Sequence, residues 1–191
     1  MPPGVPAPPR PPTLPATPVA ADTRDTVAAI YRAHARELWR VLGRLGVPPA
    51  AVEDALHDLF IVVQRKLPGF EHRAALRTWL YAIAVRIARR YRERLRRDAH
   101  DPEQDVVSPA RPPDRALLDA EAVRVLDELL SRLPEAKREV FVLHEVEELS
   151  APQIATILGI NLNTVYSRLR EARKAFVREH SRHRFLGGDA P

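Results

Sequence analysis

Apolar residues recur at helical spacing along most of the chain and nowhere alternate as they would in a half-buried strand. Ile30, Leu38, Val41, Leu42 and Leu45 share one face of a first helix, which Gly46 ends ahead of Pro48 and Pro49. Over residues 50–66, Val52, Ala55, Leu56, Leu59, Phe60 and Val63 form one stripe at 100° per residue, and Pro68-Gly69 closes that helix. A third helix over 74–97 carries the stripe Leu76, Trp79, Leu80, Ile83, Ile87 and Tyr91. Further helices are predicted over 117–130, 134–144, 151–158 and 162–179.

Proline interrupts this pattern. Nine of the 19 prolines lie in the first 18 residues, so 1–22 reads as a disordered or polyproline tail. Residues 98–115 carry Pro102, Pro109, Pro112 and Pro113 and almost no large apolar side chain, which predicts a flexible linker. Gly187, Gly188 and Pro191 mark 181–191 as a second tail. The expected fold is all-α: two small helical domains, 23–97 and 116–180, joined by that linker.

Composition narrows the function. Without cysteine there is no disulfide framework, thiol catalysis or Cys-ligated metal. No apolar run approaches the ~18–20 residues of a membrane span, and no signal peptide is visible, so a soluble cytoplasmic protein is expected. Net charge is +5, and only Lys66, Lys137 and Lys174 are lysines. Arginine grips phosphate bidentately and stacks on bases, which brings nucleic acid forward as a partner; a GC-rich genome would give the same Arg excess. The distribution of charge discriminates. Residues 71–97 hold nine Arg against two Glu, 116–150 hold nine acids against four bases, and 163–184 hold seven bases against two acids. Two basic helices around an acidic middle predict two separate nucleic-acid contacts.

The strongest local signal runs from Ser150 to Arg170. Ser150 and Gln153 have the spacing of a capping box, and Pro152 sits in the first turn, where its missing N–H is harmless. Ala155 lets a second helix cross closely, Gly159 supplies the turn, and Asn161 caps the next helix, with Ile160 and Val165 spaced as a hydrophobic staple. This is the spacing of a DNA-binding helix-turn-helix. An ordinary helical hairpin would share the glycine turn, but its second helix need not be basic. Asn163, Thr164, Ser167, Arg168 and Arg170 are placed to reach bases or phosphates.

In the second helix, Ile61 lies opposite the apolar stripe among Asp54, His57, Asp58, Gln64 and Arg65. An apolar residue ringed by polar ones suits a partner-binding patch, although single exposed apolar residues are common. His57 and Asp58 are adjacent and so do not face each other, and no nucleophile accompanies them. His180 and His183 amount to half a metal site in the C-terminal tail, with no further ligand near in sequence. No catalytic residue, metal site or cofactor is predicted, and the protein is not expected to be an enzyme.

The segments Glu53–Phe60 (Glu-Asp-Ala-Leu-His-Asp-Leu-Phe), Leu67-Pro-Gly-Phe and Leu76-Arg-Thr-Trp-Leu-Tyr-Ala-Ile-Ala resemble conserved region 2 of bacterial sigma factors. Leu133-Pro-Glu-Ala-Lys-Arg-Glu-Val-Phe-Val-Leu-His and the helix-turn-helix resemble region 4. Their order, with only a short linker between, resembles the extracytoplasmic-function group of the sigma-70 family. The resemblance implies a factor that binds core RNA polymerase and directs promoter-specific initiation. Asp54, His57, Asp58, Ile61 and Arg65 would meet the β′ clamp helices, and the second domain the β flap. Phe70, Arg73, Arg77, Trp79, Tyr81, Arg86, Arg89 and Arg90 would capture and melt the −10 element. Asn163, Thr164, Tyr166, Ser167, Arg168 and Arg170 would read −35 duplex. The family also allows an anti-sigma factor as partner. His57-Asp58 stands where the family usually has Gln-Glu, and Tyr166 where it usually has Lys or Arg.

Capture of opened DNA needs aromatics for unstacked bases and cations for phosphates. Phe70, Trp79 and Tyr81 suit the first task, although Trp79 also lies on the apolar stripe. Arg73, Arg77, Arg86, Arg89, Arg90, Arg92 and Arg96 suit the second, with Arg89, Arg92 and Arg96 expected on the face away from the core. The alternative is a helix-turn-helix regulator that binds operators without polymerase. It would need a sensor or dimerisation domain, which the first block does not resemble.

Overall fold

The computed structural model describes residues 19–70, 75–98 and 117–187, all helical apart from short connections and without a strand among them. The helices are α1 (Val19–Arg44), α2 (Val52–Lys66), α3 (Leu76–Asp98), α4 (Leu117–Ser131), α5 (Glu135–Phe141), α6 (Ala151–Leu158) and α7 (Leu162–Gly187). The all-α expectation holds, and two boundaries move outward. Helix α1 starts at Val19, directly after the last proline of the N-terminal stretch, so 19–22 belong to the helix and not to the expected tail. Helix α7 continues past 179 to Gly187, because no breaker intervenes before the Gly187-Gly188 pair. Asp98, the first residue of the expected linker, still belongs to α3, and residues 1–18, 71–74, 99–116 and 188–191 lie outside the described residues.

In the first domain the α2 stripe is buried as its spacing predicts: Val52, Ala55, Leu56, Leu59, Phe60 and Val63. It packs on Leu38, Val41, Leu42 and Leu45 of α1 and on Leu80, Ile83, Ala84 and Ile87 of α3. In the second domain α7 packs on α4, α5 and α6 through Val165, Leu169, Ala172 and Ala175. The two domains are in contact. Helix α3 packs on α6 and α1 on α4, and buried residues of both halves join in one hydrophobic cluster.

Helix α5 leads directly into a π-helical turn, Val142–Val146. Such widened turns carry one extra residue per turn and often mark functional sites. Glu148, just beyond, has a φ of 57°. The chain thereby turns so that Glu147, buried at 6% exposure, faces α1 and α3.

Two glycines hold turns that other residues would strain. Gly159 ends α6 at φ 66°, ψ 37°, the left-handed cap that the helix-turn-helix spacing requires. Gly46 ends the chain's turn out of α1 at φ 93°, and here a side chain would also collide: a Cβ would lie 2.1 Å from Arg138 Nη1 and 3.2 Å from Arg92 Cδ. A Cβ on Gly159 would meet nothing within 4 Å. Gly159→Ala should therefore cost only the left-handed conformation, about 1–2 kcal/mol, and Gly46→Ala should cost more, because the Arg138 side chain must also leave its place. Urea unfolding of both variants checks this. Equal losses would mean that Arg138 moves aside freely.

Candidate nucleic-acid interface

The helix-turn-helix is built as the sequence predicts. The Ser150 backbone N–H donates to Gln153 Oε1 at 2.9 Å and the Ser150 hydroxyl side chain completes the capping box. Asn161 Oδ1 accepts from the Thr164 N–H at 2.7 Å and from the Thr164 hydroxyl at 2.8 Å, so Asn161 caps α7 and Thr164 is spent partly on the cap. Val165 and Leu169 are buried, which fixes the rotation of α7. Asn163, Tyr166, Ser167 and Arg170 share its outer face, with Tyr166 54% exposed. Arg168 is half-buried at the edge of that face. Ser167 Oγ donates to the Thr164 carbonyl at 3.1 Å, and Arg170 lies 3.8 Å from Glu171. The aligned amides at the start of α7 add a site that favours phosphate.

The first-domain residues divide between surface, core and domain contact. Arg86, Arg89 and Arg90 are exposed along α3, and Arg77 is half-buried. Phe70 and Trp79 are half-buried with ring centroids 4.9 Å apart. Arg73 lies outside the described residues. Tyr81 is 1% exposed, and its hydroxyl is shared between Glu37 and Glu147, the latter at 2.6 Å. Burial and the two carboxylates hold its phenol well above the usual range. The expectation that Arg92 lies on an outward face is corrected: Arg92 is 6% exposed. Around Arg92, α3 is covered by the second domain, with Nη2 donating to Glu139 at 2.7 Å, and by the end of the first helix, where another of its nitrogens donates to the Leu45 carbonyl.

On α2, Asp54, His57 and Arg65 are exposed and Ile61 is half-buried. Asp58 bonds the Tyr91 hydroxyl at 2.9 Å and also pairs with Arg90, tying α2 to α3. Among the described residues no three metal-ligating side chains cluster, and His183 pairs instead with Glu128 at 3.4 Å. No described helix is long and apolar enough to cross a membrane.

The sequence reading missed the acidic partners. Arg89 holds Glu139 by two bonds, Nε to Oε1 at 2.9 Å and Nη2 to Oε2 at 2.6 Å. Arg77 reaches Glu37 at 2.7 Å, the Glu147 carbonyl at 3.0 Å and the Glu147 carboxylate at 3.2 Å. Arg44 lies 3.5 Å from Glu147 and 3.6 Å from Asp127. Burial opposes the charge on Glu139, but bonds from Arg89 and Arg92 outweigh it and hold its carboxyl below the usual range. At Glu37 burial is likewise outweighed, by bonds from Tyr81, Arg77 and His34, and the carboxyl is lowered to about 2. For Glu139 and Glu147 the sequence signal was the acidic 116–150 segment; Glu37, in α1, had none.

Two helical domains, the first with a basic helix and the second ending in a capped helix-turn-helix, define the architecture of a DNA-binding transcription factor. Residues 30–98 match the sigma-70 region 2 family model, and residues 124–176 match sigma-70, region 4. The chain is 31% identical over 136 residues to the RNA polymerase sigma-H factor of Pseudomonas aeruginosa, covering 64% of this chain and 69% of that protein. It is 30% identical over 140 residues to the ECF RNA polymerase sigma-E factor of Escherichia coli K12, covering 68% and 73%. With the sigma factor NccH of Alcaligenes xylosoxydans the identity is 31% over 154 residues, 75% and 81%. Solved structures similar in fold are CnrH in complex with the cytosolic domain of CnrY (TM-score 0.63, 22% identity, 85% of this chain and 95% of that one) and the Bartonella quintana sigma factor RpoE in complex with the anti-sigma factor NepR (TM-score 0.62, 20% identity, 90% and 100%). The chain belongs to the sigma-70 family of RNA polymerase sigma factors, in its extracytoplasmic-function group. Its relatives are regulators of transcription and not enzymes.

The Glu37 cluster gives a pH signature. Its carboxyl is lowered from the usual 4.5 to about 2. The stability it contributes is complete above pH 4.5 and is lost as pH falls through 2. Urea midpoints measured across that window should fall less steeply for Glu37→Gln than for the parent protein; parallel curves would mean that Glu37 is not held ionised.

Proposed function

We propose that this sigma factor docks on core polymerase through the Asp54–Arg65 face of α2 and reads promoter DNA at two places. The outer face of α7 lies in the major groove at −35, and the 70–90 segment captures the opened −10 strand. The observation that carries the reading is the outer face of α7, where Asn163, Tyr166, Ser167 and Arg170 stand free of the core at the end of a capped helix. An outward helix with a polar, basic face fits the major groove and its donor and acceptor pattern. The −10 reading is supported by the Phe70–Trp79 ring pair beside the arginines of α3. The half-buried Ile61 among Asp54, His57 and Arg65 supports docking on the β′ clamp helices, with the second domain meeting the β flap. Its place of action is then the cytoplasm, and anti-sigma factors, which accompany RpoE in its solved complex, are a partner class.

Adding the protein to purified core polymerase should give promoter-specific transcription; operator binding without any effect on the polymerase would favour a polymerase-independent regulator. On a randomised −35 library, Asn163→Ala or Ser167→Ala should change the preferred base, a good bidentate contact being worth about 1–3 kcal/mol. Arg168→Ala should leave the preferred sequence alone and lower the salt slope by about 0.9. If neither preference nor slope moves, α7 is not the −35 reader. Ile61→Asp should weaken core binding in a pull-down with helicity unchanged, and undiminished affinity would count against the α2 face.

A further inference from the structure

The outer side of α7 is mostly polar or charged, and two exceptions stand side by side at its start. Leu162 is 39% exposed and Tyr166 54% exposed. They lie one helical turn apart and so are neighbours along one flank of the helix. Among the described residues, no other two exposed large apolar side chains are a single turn apart in sequence. The packing of α7 is carried on another face, by Val165, Leu169, Ala172 and Ala175. The polar side chains around the pair are partly committed. The Thr164 hydroxyl donates to Asn161 at 2.8 Å, and the Ser167 hydroxyl donates to the Thr164 carbonyl at 3.1 Å. Each has then spent its one proton and can offer a base only an acceptor. The flank therefore presents apolar area where a groove-reading helix would meet base edges. Thymine is the base that answers it, because its 5-methyl group is the apolar mark in the major-groove code.

We propose that Leu162 and Tyr166 form a methyl-reading site, and that the −35 duplex preferred by this chain carries a thymine whose 5-methyl group packs between them. The inference rests on the assignment of α7 to −35 DNA and names one base that it selects. A tyrosine supplies apolar ring area close to the helix and keeps its hydroxyl at the far edge, where water can reach it. Charge and size favour duplex over a protein as the occupant. Arg168 and Arg170 follow Tyr166 within about one turn, a basic setting suited to the phosphates that flank a groove. Two side chains cover far less than the roughly 800 Å² that each partner buries in a stable protein interface. They match the size of one methyl group.

The test uses the full-length protein with core polymerase and the duplex it selects from a randomised −35 library. Each thymine of the selected element, on either strand, is replaced in turn by deoxyuridine, which pairs as thymine does and lacks only the 5-methyl group. At one thymine the replacement should weaken binding about fourfold, the worth of one buried methyl group. The salt slope should not change, because no phosphate contact is lost. This scan uses the parent protein and so does not depend on any variant folding. Tyr166→Ala with Leu162→Ala should bind the thymine and uracil duplexes equally. Tyr166→Phe should keep the fourfold difference, since the ring and not the hydroxyl meets the methyl group. A selected element without thymine, a scan in which no thymine is sensitive, or a methyl effect that survives in the double alanine variant overturns the proposal. In each of these cases the −35 reading stands if Asn163→Ala or Ser167→Ala still shifts the preferred base. If those variants and Arg168→Ala move neither preference nor salt slope, α7 is not the reader and the methyl site falls with it.

Discussion

The carboxylate of Glu139 is the contact on which the arrangement of the two domains depends. It is 3% exposed, and an ion so buried is tolerated only if it is paired and hydrogen-bonded. Arg89 and Arg92 meet both conditions from a helix that is 47–50 residues away in sequence. Arg92 itself is buried and needs Glu139 in return. Its Nη1 is bound to the Leu45 carbonyl, while its Nε makes no hydrogen bond and lies 3.5 Å from Glu135. Nearby, burial and the charge of Arg92 lower the pKa of Arg138, whose Nη1 lies where a Cβ on Gly46 would stand. The turn after α1, the middle of α3 and the start of α5 are thus tied to one another by charge as well as by the shared apolar cluster.

This contact gives a second meaning to the charge segregation along the chain. A basic α3 and an acidic 116–150 segment are complementary within one molecule before either meets a partner. Both meanings follow from the same residues, since fields that attract DNA phosphates also attract the chain's own carboxylates. Arg86 and Arg90 remain exposed on α3 while Arg92 is enclosed, so one helix carries both kinds of arginine within two turns.

The parts of the fold legible in the sequence were those set by near neighbours. The α2 stripe, the Ser150–Gln153 box, the left-handed Gly159 and the Asn161 cap each depend on residues within about one or two helical turns, where spacing alone fixes geometry. The parts that were not legible depend on residues far apart. Tyr81 has the composition of a base-stacking residue, and only its hydroxyl's position between Glu37 and Glu147 makes it a buried joint between domains. Arg92 faces away from its own domain's core, as periodicity indicates, but periodicity cannot say that another domain covers that face. The π-helical turn is equally silent in the pattern, because one additional residue in a turn leaves the apolar spacing of 134–144 almost unaltered. Among the candidate DNA contacts, the α7 face was therefore readable from local rules, whereas the state of the α3 arginines required the whole molecule.

Arginine suits the contact between the domains. A lysine ammonium is a point charge that would pair with either a carboxylate or a phosphate without fixing the angle between them. The guanidinium of Arg89 imposes a plane and two parallel bonds, so the position of Glu139 relative to α3 is fixed as well as its distance. The same plane offered to DNA would orient a phosphate along the helix. The inner face of α3 is packed through Leu80, Ile83, Ala84 and Ile87, so the helix that carries these forks is itself anchored. The Arg89–Glu139 pair therefore holds the second domain to α3 at one fixed angle as well as at one distance.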